Sequence, residues 1–353
     1  MPASVAHMLI AHKGLKKLQE SEDEGLAKFA AMLDSDSGSE RYQAYMNIGS
    51  LGPDLYYYKR PWKGVIEILK DGYVQAVGVT PWAYHLHSNR PNEFPLKLIQ
   101  IVFSDAEREG KKAKFGVDDV RKLAYIAGHL SHIAADQIIH PLVNSLAGPY
   151  YTSGDNRDIH REAEVYQDYF LYQEVYRLED KSGPKYEFFK QNFRKWVDCI
   201  GGFRLKNTHD WFRYFLQRGF IETYGTGPDE DTIENSVDGI LVTLVASKMV
   251  GPYVGPYKRA DKEYKKERAN GPRFQKYVGK PQYLKYYSEA VELTKVYLSA
   301  LYKVYHLLTE GEDFCEEKRD WFCEVVSSAD LSCPLEEDIL EKAKGALSRF
   351  HAV

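Results

Sequence analysis

The chain has 353 residues, 44% of them hydrophobic, enough to fill a substantial core, and its 47 basic and 51 acidic residues leave a formal charge of -4. That balance excludes bulk attraction to nucleic acid or to an acidic membrane, so any such partner must be recognised locally. The four cysteines, Cys199, Cys315, Cys323 and Cys333, have no C-x-x-C spacing, which argues against a zinc ribbon and for free thiols.

Apolar residues recur with helical period and alternating β-branched segments are scarce, so the expected fold is all-α, a multi-helix bundle. The amino-terminal MPASVAHMLIAHKGLKKL lacks the basic start and unbroken apolar stretch of a secretory leader. No later run reaches the roughly 20 apolar residues of a membrane span, and the expected setting is cytoplasmic. Ser4 is expected to cap a first helix with His7, Ala11, Leu15 and Leu18 along one stripe. A second helix follows near Glu24 to Leu33, then the loop DSDSGSE. A short third helix stops at GSLGPDLYYY, where Gly49, Gly52 and Pro53 make a turn that presents Asp54.

RPWKGVIEILKDG and FPLKLIQIVFSDAER read as two further short helices, separated by the irregular GVTPWAYHLHSNRPNEF that carries His85 and His87. A long helix is predicted from about Val117 to His140, ended by Pro141, and another from about Asp158 to Leu178, capped by Asp155 or Asn156. Tyrosine-rich helical stretches continue to the C-terminus. They are broken by GTGPDEDT and by VGPYVGPYKRADKEYKKERANGPRF, a surface excursion or an active-site rim. Residues 1–180 are expected to form a metal-binding catalytic core and residues 181–353 a helical extension packed on it, within one continuous domain.

Of 11 histidines, eight fall at or before position 160. His132, Asp136 and His140 follow a four-residue spacing, which places them on one face of the long helix at steps of about 6 Å. Gly128 continues the stripe upstream and leaves room beside His132. Burying a carboxylate and two imidazoles without compensating charge is costly, so the stripe reads as metal-ligating. His160 and Glu164 repeat the spacing on the next helix, a pattern that also occurs on solvated helix faces. With His7, Asp54 and His85 the chain offers five imidazoles and three carboxylates, too many for one tetrahedral zinc. The count fits two to three zinc ions with Asp136 as a bridge. His129 reads either as a partner orienting His132 or Asp136 or as a polar residue at the pocket rim. His12, His87, His209, His306 and His351 read as hydrogen-bonded core residues.

The motifs SVAHMLIAHKGL, GSLGPDLYYY, AYHLHSNRP, GHLSHIAADQIIHPLVN and HREAE, in that order, resemble the zinc-dependent phospholipase C family, including the catalytic part of the glycosylphosphatidylinositol-specific phospholipase D enzymes. The resemblance spans roughly the first half of the chain and implies an all-helical domain holding three zinc ions. It implies His85, His132 and Asp136 around the first ion, with Asp54 beside it as general base or additional ligand. His140, His160 and Glu164 would hold the second, and His7 with Asp136 the third. In the secreted members an amino-terminal tryptophan completes that third site. This chain has none, and removal of Met1 would instead expose the amine of Pro2. The interval from Asp136 to His140 is that of the phospholipase D branch, so phosphatidylcholine is not implied.

The expected activity is therefore hydrolysis of phosphate esters by a metal-activated water, on a small anionic phosphate ester or phospholipid, with no stable nucleic-acid partner. Two alternatives stand beside it: a single-strand nuclease of the zinc type, and a non-enzymatic protein whose metals staple its helices.

Overall fold

A computed structural model of the chain describes residues 4–35, 42–58, 81–108, 116–176, 210–237, 239, 255–332 and 338–352, and there is no strand among them. The predicted helix RPWKGVIEILKDG, most of the DSDSGSE loop, the Pro2 amine, Cys199, His209 and Cys333 lie outside the described residues. No helix among the described residues is long and apolar enough to cross a membrane. Cys315 and Cys323 are free thiols.

The first helices form where caps and periodicity place them. Helix α1 spans Ser4–Gln19 and α2 spans Glu24–Leu33. The Asp23 carboxylate caps α2 by accepting from the amides of Gly25 and Leu26 at 2.9 and 3.0 Å. Helix α3 is Tyr42–Ser50, followed by a 3-10 turn at Pro53–Tyr58. The segment read as irregular is in fact a helix, α4, over Pro81–Ser88, and α5 covers Glu93–Arg108.

Helix α6 runs the whole way from Val117 to Ala147, with Pro141 inside it. The proline removes one ladder bond, but Leu142, Val143 and Ala147 beyond it are buried on the same face, and that tertiary burial overrides the local break. The helix stops at Gly148, whose φ of 79° suits a residue without Cβ. Helix α7 covers Gly154–Phe170, capped by Ser153 rather than by Asp155 or Asn156, and passes into a π-helical turn at Leu171–Tyr176.

Helix α8 is Asp210–Tyr224. The charged, Gly/Pro-punctuated stretch holds two helices, α9 at Gly255–Glu267 and α10 at Pro272–Tyr277, both packed on α7. Helix α11, Lys280–Glu310, lies against α6 and α1, and α12 (Glu316–Val325) and α13 (Ile339–Ser348) close that side. One apolar cluster joins Met8 and Leu15 of α1, Leu130 and Ile133 of α6, Leu298 of α11 and Trp321 of α12, so both halves of the chain share a core.

Helices α3 and α6 cross in close contact. A Cβ at Gly49 would lie 2.0 Å from the Tyr125 carbonyl oxygen, and one at Gly128 would lie 2.0 Å from the Met46 carbonyl oxygen. Both positions therefore require glycine, and Gly128 makes room for the backbone of α3 rather than for His132. This approach delivers the Ser50 carbonyl to His132, where it accepts from Nδ1 at 2.9 Å.

Candidate metal centre

The centre sits where α1, the Pro53–Tyr58 turn, α4, α6 and α7 converge. Asp136, on the middle turn of α6, is its hub. Its Oδ1 lies 3.4 Å from His7 Nε2 and 3.3 Å from His140 Nε2, and its Oδ2 lies 3.1 Å from His132 Nε2 and 3.8 Å from His87 Nε2. Asp54 lies 3.3 Å from His87 Nε2. On the other side Glu164 lies 3.2 Å from His160 Nε2 and 3.7 Å from His140 Nε2. The rings of His7 and His132 stack with centroids 4.0 Å apart. All of these side chains are buried.

Seven of the eight sequence-predicted residues, His7, Asp54, His132, Asp136, His140, His160 and Glu164, thus come together. The structure does not bring His85 to the centre; His87 takes that place. The two lie two positions apart on α4 and so point to nearly opposite faces. His85 instead stacks on Tyr224 with centroids 4.8 Å apart and accepts at Nδ1 from Asn89 Nδ2 at 3.0 Å. The helical register of this segment is what separates the two histidines.

His129 is buried beside Phe94 and Tyr125, with no hydrogen-bond partner for either ring nitrogen. Burial pushes its pKa well below the usual value, so it is a neutral core imidazole that neither orients His132 nor reaches the rim. His12 pairs with Asn47 at 2.9 Å as expected, whereas His306 is exposed.

The tautomers show why a cation fits here. His132, His87 and His140 each turn Nδ1 to a backbone carbonyl, of Ser50, Ala83 and Leu331 respectively. A carbonyl only accepts, so Nδ1 carries the hydrogen and a neutral ring directs the Nε2 lone pair at a carboxylate oxygen. Two acceptors face each other until a proton or a metal ion lies between them. Buried Nε2 of His132, Nδ1 of His7 and Oε2 of Glu164 have no hydrogen-bond partner at all. Three groups have ligand atoms mutually within 4.8 Å: His7, His132 and Asp136; Asp54, His87 and His132; and His140, His160 and Glu164. His132 has one free nitrogen and belongs to two of these, so the groups define at least two cation positions.

Charge and burial oppose each other at Asp54, Asp136, Glu164 and His140. Burial disfavours the ionised forms of Asp136 and Glu164, but the surrounding imidazoles outweigh it and hold both carboxyls well below their usual range. Asp54 is held down in the same way against its own burial, chiefly by His87. Burial lowers His7 to about 4. For His140 burial acts in the same direction, yet Asp136 and Glu164 prevail and raise it to about 9.

Two further features were not anticipated. Ser4 is the first helical residue of α1 rather than its cap, and that role passes to Asp168 of α7. The Asp168 carboxylate accepts from the amides of Val5 and Ala6 at 3.1 and 3.0 Å and so fixes the turn that carries His7. Asp168 continues the four-residue series of His160 and Glu164, a signal the sequence contained. The second feature is the cleft beside the ligands, lined by Tyr57, Tyr150, Tyr151, Arg161 and Ser332. The hydroxyls of Tyr57 and Tyr151 are hydrogen-bonded at 2.5 Å. Leu331 and Ser332 bring the C-terminal half into this site.

A helical bundle with imidazoles and carboxylates grouped beside a small cleft is an arrangement that can hold metal ions. The family model of zinc-dependent phospholipase C matches residues 6–214, and the chain belongs to that family. No curated protein and no solved structure matches the chain significantly.

Proposed function

We propose that the chain is a zinc-dependent hydrolase of phosphate esters, a phospholipase C-like phosphodiesterase acting on a small anionic phosphate ester or phospholipid. The observation that carries this reading is the set of five imidazoles and three carboxylates gathered beside one cleft, three of the rings having Nδ1 turned away to backbone carbonyls. His87, His132 and Asp54 would hold one ion; His140, His160 and Glu164 a second; and His7 with Asp136 a third where it is filled, Asp136 being shared. When bound, zinc acidifies water and neutralises the charge of phosphoryl oxygens.

The protein's own residues supply order and dryness. The carbonyls of Ser50, Ala83 and Leu331 fix three ring orientations before any substrate arrives. Leu130, Ile133 and Ala135 on α6 keep bulk water from the ligands, which strengthens every charge interaction inside. Asp54 lines the cleft in its ionised form, and it would accept a hydrogen from the attacking water and orient it toward phosphorus. The alcohol would leave on the opposite side with a proton.

The test is metal content of the purified protein, followed by turnover of bis-p-nitrophenyl phosphate, p-nitrophenylphosphorylcholine and single-stranded DNA. Metal with no turnover of any of the three would overturn the enzymatic reading in favour of a structural role. The DNA arm matters because Tyr84, 43% exposed, packs edge-on to Tyr151 at the cleft mouth, where a nucleobase would stack.

A further inference from the structure

Arg161 stands between two metal-ligand candidates, His160 and Glu164, and it is only 5% exposed. A buried guanidinium normally has a carboxylate facing it, because removing its charge from water is expensive without compensation. Among the described residues the one carboxylate within ion-pair reach of this guanidinium is Asp158, at the long distance of 3.9 Å and itself half exposed, and the hydrogen-bond partner is the neutral phenol of Tyr150 at 3.1 Å. The adjacent Glu162 is engaged elsewhere, by Arg259 and Tyr277. Arg161 lines the same cleft as His7, Asp54, Asp136 and Glu164, and Tyr150 ties the two together, its ring packed edge-on to His160 at 5.0 Å.

The electrostatics of this placement point in one direction. Three carboxylates facing two divalent ions already leave the centre cationic, and Arg161 adds a positive charge to the wall of a water-poor cleft. Like charges held this close repel strongly at low dielectric, so the arrangement is relieved by an anion lying between them. A planar guanidinium matches two phosphoryl oxygens at once, whereas it would repel the trimethylammonium of a choline headgroup.

We infer that Arg161 is the specificity-determining residue of the cleft and selects substrates whose phosphate is terminal and dianionic over zwitterionic choline phosphodiesters. The inference rests on the phosphate-ester reading and departs from its phosphodiesterase form, favouring monoesters over diesters. Water would add to phosphorus, the ester P–O bond would break, and the alcohol and inorganic phosphate would leave. The terminal phosphate has two sources, a soluble phosphomonoester or a phosphorylated lipid.

The experiment compares the zinc-loaded protein with Arg161→Gln and Arg161→Lys. Inorganic phosphate binding is followed by calorimetry. Turnover is measured on p-nitrophenyl phosphate, p-nitrophenylphosphorylcholine and vesicles of phosphatidic acid. The expected result is that Arg161→Gln keeps its zinc, binds phosphate at least about tenfold more weakly, and loses turnover of dianionic esters while that of the choline ester holds or rises. Arg161→Lys should fall between the two, since it retains the charge without the planar fork. If Arg161→Gln loses zinc, the lysine variant decides: unchanged phosphate affinity and selectivity there overturn the assignment. Equal losses on the choline and dianionic esters also overturn it. If the parent protein hydrolyses none of the esters, the phosphate-ester reading fails, while the calorimetric comparison still tests Arg161 as an anion site. Turnover of the soluble ester alone, or of the vesicles, identifies the source of the phosphate.

Discussion

Replacing Gly128 by alanine tests whether the α3–α6 crossing holds the metal centre in place. In an unconstrained helix the substitution is favourable by about 1 kcal/mol, because alanine is the better helix former. Here the new Cβ would lie 2.0 Å from the Met46 carbonyl oxygen, 2.5 Å from the Ser50 amide nitrogen and 2.8 Å from the Gly49 carbonyl carbon. These are backbone atoms of a packed helix and have no rotamer to escape into. The helices must separate by an ångström or more to restore contact at about 3.5 Å. Overpacking of this kind costs about 1–3 kcal/mol, and the Ser50–His132 hydrogen bond, stretched out of range, adds about 1 kcal/mol. The expected net is a destabilisation of about 1–3 kcal/mol in urea unfolding of the metal-free protein, with zinc affinity reduced about 10- to 100-fold through loss of the His132 orientation. Gly345→Ala is the control, since nothing lies within 4 Å of its added Cβ and it sits in α13. That variant should be stabilised by about 1 kcal/mol. If Gly128→Ala unfolds and binds zinc as Gly345→Ala does, the crossing does not position His132 and the reasoning fails.

Asp136→Asn should remove more than one equivalent of zinc, because the carboxylate faces four imidazoles; retention of the full complement by elemental analysis would show that it bridges nothing. His87→Ala should lower zinc content or affinity, and His85→Ala should leave both unchanged in the same titration. Zinc uptake at pH 7.5 should release at least one proton, detectable by calorimetry in buffers of different ionisation enthalpy. The sign follows from His140: its folded-state pKa of about 9 exceeds the ordinary 6.5, so it is protonated in the metal-free centre at pH 7.5 and must deprotonate to bind. His7, at about 4, has no proton to give at that pH. In the metal-free protein the stability contributed by charged His140 is complete below pH 6.5 and disappears as pH rises through about 9, which pH-dependent urea titrations would resolve.

The part of the centre carried by a single helix was legible from spacing. His132, Asp136 and His140 fall on one stripe of α6 whatever surrounds it, and His160 with Glu164 do the same on α7. What the sequence did not disclose comes from pairing between segments. The choice of His87 over His85 depends on which face of α4 meets Asp54. The carbonyls of Ser50, Ala83 and Leu331 carry no side-chain signature, so the groups that orient the ligands are invisible in the residue string. Pro141 illustrates the converse: its local rule is sound, and burial of the residues after it overrules that rule. Gly128 was read for the space it leaves, but the occupant of that space is backbone from another helix. The family motifs ended before Leu331 and Ser332, which the fold returns to the cleft.

The anchoring of α1 by Asp168 has a consequence for assembly. The residues that meet there are 162 and 163 positions apart, and His140 meets the Leu331 carbonyl across a further 191. During synthesis α1 leaves the ribosome well before its anchor exists, and the ligands of α6 and α7 are complete long before the carbonyl that fixes His140. Loops of this length close slowly, so ligand order is acquired late in folding. A chain truncated before Leu331 would still present the histidines and carboxylates, but it would hold them without the orientation that the finished fold imposes.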